Sequence, residues 1–111
     1  MSGHHNRVIL VGQILGEVEL HLDEREEMVA HFTLITELKF KKKSGVIRES
    51  AEHRVVAWGE LARLCGTNLV EGRLVLVEGR LRSYLTEDPR NGCRYLCFEI
   101  RAEQVRILDE P

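Results

Sequence analysis

Phe40 stands in the run Lys39-Phe40-Lys41-Lys42-Lys43, an apolar ring set among four ammonium groups. Trp58 ends an alternating segment that places Arg54 on the same face, and Tyr84 follows Arg80 and Arg82. Rings beside fixed positive charge suit a flexible polyanion that carries flat bases. The cations meet phosphates, and any base offers a face to a ring. Each such ring is worth about 1–3 kcal/mol when truncated. Each also has a plain structural reading: Phe40 tucked onto a sheet, Trp58 a core residue, the lysine run a solvated loop.

Other chemistry finds no support. There is no paired-carboxylate motif, no Ser/His/Asp or Cys/His order and no Gly-rich phosphate loop, so no enzyme is expected. The three cysteines are Cys65, Cys93 and Cys97. Cys93 and Cys97 are four apart, which in a strand separates their Cα atoms by about 13 Å. They can neither pair there nor clamp one ion, so no metal and no cofactor is expected. An odd set of thiols without an export signal at Met1-Ser2-Gly3-His4-His5-Asn6 reads as reduced and cytoplasmic.

The 111 residues suit one domain, here 1–111 with a core over about 6–108. With 43% hydrophobic residues, disorder is not expected, and no apolar run is long enough to span a membrane. The net charge of −2 argues at first against a polyanionic partner. Its distribution argues otherwise. Glu17–Glu27 carries a local −5, Lys39–Arg54 a local +4, Arg73–Arg94 a local +2 and Glu99–Pro111 a local −2. The positive blocks hold the rings. The acidic block reads as an exposed edge or hairpin whose charge blunts aberrant strand pairing.

These side chains must be carried mostly by strands. Val8-Ile9-Leu10-Val11 opens the first, apolar on both sides and so expected to be buried on both faces, with Gly12 and Gly16 allowing bends. Val29–Glu37 alternates, Ala30, Phe32 and Leu34 against His31, Thr33 and Ile35. Lys39–Gly45 is expected to be a basic hairpin loop turning at Ser44-Gly45. Glu52–Trp58 forms a third strand. Leu61, Leu64, Cys65 and Leu69 fall at helical spacing within Glu60–Leu69, and Gly66 makes that helix depend on docking. Arg73–Tyr84, bending at Gly79, and Arg94–Leu108 supply two more strands. Asp88-Pro89 and Asn91-Gly92 mark the turn between them. The fold class expected is all-β with one helix: a five-stranded OB-fold barrel, its helix between strands three and four.

Four stretches carry a family resemblance. They are Asn6-Arg7-Val8-Ile9-Leu10-Val11-Gly12, Val29-Ala30-His31-Phe32-Thr33-Leu34-Ile35-Thr36, His53-Arg54-Val55-Val56-Ala57-Trp58-Gly59-Glu60-Leu61-Ala62 and Val75-Leu76-Val77-Glu78-Gly79-Arg80-Leu81-Arg82. In this order and spacing the chain resembles bacterial single-stranded DNA-binding protein. The resemblance implies an OB-fold that assembles, as a tetramer rather than a dimer, and wraps single-stranded DNA without sequence preference during replication, recombination and repair. It implies a cytoplasmic, nucleoid-associated location.

The resemblance also implies roles for residues. Trp58 matches a stacking position, and Phe40 and Tyr84 join it, with Thr86 as the alternative occupant of the last position. Lys39, Lys41, Lys42, Lys43 and Arg54 are the leading phosphate contacts, followed by Arg80 and Arg82, then Arg7 and Arg73. His53 is structural. Glu52 stands where the family usually has a stacking tryptophan, so binding is expected to be weaker than the motifs alone promise. The family carries a long tail with an acidic tip that recruits replication and repair proteins. This sequence closes at Leu108-Asp109-Glu110-Pro111 without that tail, and replication and repair proteins stay among the partners the resemblance implies. Two other readings fit the same fold: a dimeric primosome-type replication-restart accessory, and an OB-fold module that binds protein.

Overall fold

A computed structural model describes residues 3–109; Met1, Ser2, Glu110 and Pro111 from the two chain ends considered above lie outside them. Five strands close a barrel in the order β1-β2-β3-β5-β4. The elements are β1 (Val8–Leu22), β2 (Met28–Lys42), β3 (Gly45–Trp58), α1 (Gly59–Asn68), β4 (Leu74–Glu87) and β5 (Arg94–Ile107). This is the expected five-stranded OB-fold arrangement, with the helix between β3 and β4.

Alternation builds the core. Ala30, Phe32 and Leu34 on β2 point inward with Val55 and Ala57 on β3, Val75 and Val77 on β4, and Ile100 and Ala102 on β5. α1 adds Ala62 and Cys65, with Leu69 just beyond its end. Burial raises the Cys65 thiol to about 11, so that group is an inert apolar filler. All pairings are antiparallel except β3 with β5, a parallel seam of only two residue pairs, Val55↔Ile100 and Val56↔Arg101. β4 and β5 slip register between Glu78 and Gly79. A methyl group on Gly79 would run into the Arg101 carbonyl, so only glycine lets the two backbones approach there.

Three expectations are corrected. Lys39–Gly45 is not a loop. β2 and β3 stay paired to Lys42↔Gly45, and the turn is only Lys43 and Ser44, with Gly45 at φ 126. A two-residue connection is the shortest an antiparallel pair needs, so the lysines ride on a ribbon. Second, Leu64 is half exposed, and Ala62 takes the inward place on α1. The small Ala62 lets the helix rotate closer to the barrel, and Leu20 of β1 packs where a side chain of Gly66 would stand. Third, β1 is not buried on both faces. Leu10 and Ile14 turn inward, whereas Ile9, Val11 and Leu15 lie exposed on the outer wall, because no second layer covers it in one chain.

Candidate nucleic-acid interface

Cross-strand partners share a face, so the register tells which side chains meet. Trp58 pairs with Val29, Val56 with His31, Arg54 with Thr33 and Glu52 with Ile35. Across the parallel seam Val56 faces Arg101. Arg101 then pairs with Arg80, Glu99 with Arg82 and Cys97 with Tyr84. One outer face therefore collects Trp58 and Arg54 of β3, Arg101 of β5, and Arg80, Arg82 and Tyr84 of β4.

Trp58 sits where β3 hands over to α1, half-buried, with extended backbone at the helix N-cap. The Arg101 guanidinium lies 4.5 Å from its ring centre and that of Arg82 5.9 Å. Such cation–π contacts are worth about 0.5–1 kcal/mol at exposed sites. They fix the ring and leave two guanidiniums beside it. Arg82 also lies 3.7 Å from Glu99, which holds it to the sheet. Arg101 was not among the residues singled out from sequence. Its signal lay in the β5 alternation, on the same face as Glu99, but its place against Trp58 depends on the β3–β5 seam.

An open cleft of about 600 Å³ adjoins the ring, lined by Trp58, Arg101 and the acidic turn Asp23, Glu24, Arg25 and Glu27. That turn is rigid. The backbone N–H groups of Arg25 and Glu27 each donate to Asp23 Oδ1 at 2.9 Å, and Glu26 takes the left-handed conformation. The Glu27 bond chiefly holds the Asp23 carboxyl below its ordinary value.

The other residues expected at the site fall in different places. Lys39 and Lys41 share the parity of Arg54 along the β2–β3 ribbon, and Lys43 stands in its turn. Phe40 pairs with Ile47 and falls on the opposite face of that ribbon from Trp58, with the Lys42 ammonium 5.5 Å from its ring centre. Thr86 pairs with Tyr95, on the face of Tyr84. Arg7 is ion-paired with Glu78. Arg73 is ion-paired with Asp109 at 3.2 Å, as a charge contact and not an aligned hydrogen bond, on a half-buried side chain. Both charges are already neutralised. Glu52 is exposed on the same face as Arg54. His53 turns the other way, its Nε2 2.9 Å from the Thr36 hydroxyl, a structural place. Among the described residues no group of three or more His, Cys, Asp or Glu side chains could hold a metal, and no helix is long and apolar enough to cross a membrane.

The closed five-stranded barrel, with a helix between β3 and β4, a tryptophan braced by guanidiniums on its outer wall and a lysine-studded ribbon, is an OB-fold. Residues 5–108 match the model of the Single-strand binding protein family, and the chain belongs to that family. It is 36% identical over 104 residues to "Single-stranded DNA-binding protein 1" of Chlorobaculum tepidum, a match covering 93% of this chain and 64% of that relative. It is 33% identical to the single-stranded DNA-binding protein of Caldanaerobacter subterraneus, covering 94% of this chain and 68% of the relative. The chain thus spans a little under two thirds of the Chlorobaculum protein. Among solved structures, the Plasmodium falciparum SSB in complex with ssDNA superposes with a TM-score of 0.86 at 21% identity, over 98% of this chain and 99% of that one, a likeness of fold. A deletion mutant of the single-stranded DNA-binding protein from Thermus aquaticus gives 0.80 at 26% identity, over 95% and 51%.

Proposed function

We propose that the chain is a non-enzymatic, sequence-independent single-stranded DNA-binding protein that coats and protects single strands during replication, recombination and repair. The observation that carries this reading is the outer face on which Trp58 is held against Arg101 and Arg82. Bases stack on Trp58 and Tyr84, and on Phe40 at the far side of the β2–β3 ribbon. Lys39, Lys41, Lys42, Lys43, Arg54, Arg80 and Arg82 neutralise phosphates; Arg7 and Arg73, each with an acidic partner, contribute less. Such a protein works in the cytoplasm, at the nucleoid.

The test is an oligo-dT titration read by Trp58 fluorescence at several salt concentrations. Quenching is expected, with log K falling against log salt by about 0.7 for each phosphate neutralised. A signal that stays flat at low salt would sink the reading. Binding indifferent to salt would remove the phosphate contacts and favour a protein-binding module.

The chain acts as a homo-oligomer. On the outer wall of β1, the exposed Ile9, Val11 and Leu15 join half-buried Leu74 and Leu76 of β4 and Ile35 of β2. An apolar patch of that kind marks an association surface. The occupant is a second copy, and the family resemblance favours a tetramer. A solution mass near four chains is the expected result; two chains would support the primosome-type reading instead.

A further inference from the structure

A second pair of rings comes together on the β1–β2 wall. The rings of His21 and His31 lie parallel there, with an interplanar angle of 11° and centroids 5.0 Å apart. Glu19 pairs with His31 and His21 with Val29, and those β2 residues pair in turn with Val56 and Trp58. Both imidazoles are therefore on the same outer face as Trp58, one and two strands away. His21 is exposed and His31 half-buried, at a cleft of about 220 Å³ that Arg54 also lines.

We propose that the stacked His21–His31 pair is a further nucleotide-binding station, which stacks on a base as neutral rings and holds a phosphate once protonated, so that affinity for single-stranded DNA rises as pH falls. This rests on the reading of the chain as a single-stranded DNA binder. Imidazole is among the side chains on which unstacked bases lie flat. The charges facing the pair come from three strands: Glu17 and Glu19 on β1, Arg54 on β3 and Glu99 on β5. Their formal total is −2 while the histidines are neutral, and it becomes zero when both are protonated. Acid thus removes a barrier to phosphate beside Arg54.

The free protein resists that protonation. Burial first, then the neighbouring His21 and the Arg54 charge, hold His31 below its ordinary value of 6.5, while Glu99 and Glu19 pull the other way. The lowered value means the free folded state binds fewer protons than the unfolded chain. The stability it contributes is present above pH 6.5 and is lost as pH falls through the lowered value. A phosphate against the pair reverses the balance and draws a proton on. By linkage, each unit by which bound DNA raises a histidine's pKa is worth about tenfold in affinity below both values.

Oligo-dT is the probe, since thymine has no group that titrates between about pH 5.5 and pH 8. Affinity of the intact chain is measured across that range at fixed salt, with the histidine ring signals followed by NMR. A rise of about 3–10-fold towards acid is expected, with a salt dependence steeper by about 0.7 per phosphate gained. The His31 signal is expected to titrate at higher pH when DNA is bound. His21→Gln/His31→Gln should flatten the pH profile to within about twofold. His21→Gln alone, at an exposed position, keeps the fold and should reduce the rise. A flat profile in the unaltered chain, with good binding at pH 8, overturns the proposal and leaves the DNA reading intact. A rise that persists in the double variant places the effect outside the pair and also overturns the proposal. Absence of binding at every pH defeats the DNA reading itself.

Discussion

Trp58→Ala is expected to weaken oligo-dT binding by about 1–3 kcal/mol, roughly 5- to 150-fold, without unfolding the barrel. The ring is half-buried on the outer wall, outside the core formed by Phe32, Leu34, Val55 and their neighbours. Its removal costs a stacking face and also frees the Arg101 and Arg82 guanidiniums that it orients. Those cations remain, so the salt dependence should change little while the affinity drops. Fluorescence is lost with the ring, and anisotropy of a labelled oligonucleotide is the right measurement. Trp58→Phe keeps a stackable face and should recover most of the loss, whereas Arg101→Gln should reduce the salt slope by about 0.7. If Trp58→Ala leaves affinity within twofold while its thermal midpoint is normal, bases do not stack there.

Glu52→Trp is the opposite case, an expected gain of about 1–3 kcal/mol in affinity. Glu52 is exposed, shares its face with Arg54 and lies opposite Ile35 in the neighbouring strand. A carboxylate there repels phosphate and presents no ring. The gain has two parts that a second variant separates. Glu52→Gln removes only the charge at an exposed position. Its effect should be a few-fold and should vanish at high salt, because exposed charges are screened over about 8–10 Å. The stacking part survives salt. If the tryptophan variant binds no better than the glutamine variant, the strand does not pass over position 52.

The fold was legible because burial on one side writes itself into alternation. The opposed faces of Val29–Glu37 and Glu52–Trp58 are the inner and outer walls of the barrel. The pattern fades where both sides meet water. Lys39–Gly45 looks like a loop because a two-stranded ribbon has no buried side to demand apolar residues, though its backbone bonds continue to Lys42↔Gly45. The α1 stripe misplaced Leu64 for a related reason. Periodicity finds large apolar residues, while the close approach of this short helix is made by Ala62 and Gly66. At the candidate site, Trp58, Arg54 and Arg82 were legible from local faces. Arg101 was not, since only barrel closure brings β5 beside β3. The His21–His31 stack was also hidden, because it depends on the irregular register of β1 between Leu15 and Glu19.

The two-pair seam between β3 and β5 has a dynamic side. It is the narrowest join in the barrel wall, and local opening starts where the fewest backbone bonds hold. Trp58 belongs to one lip and Arg101 to the other. A nucleotide resting on both therefore acts as a clasp across the gap. Amide protons of Val55, Val56, Ile100 and Arg101 should then be the reporters of occupancy, slowing their exchange with solvent when the clasp is shut.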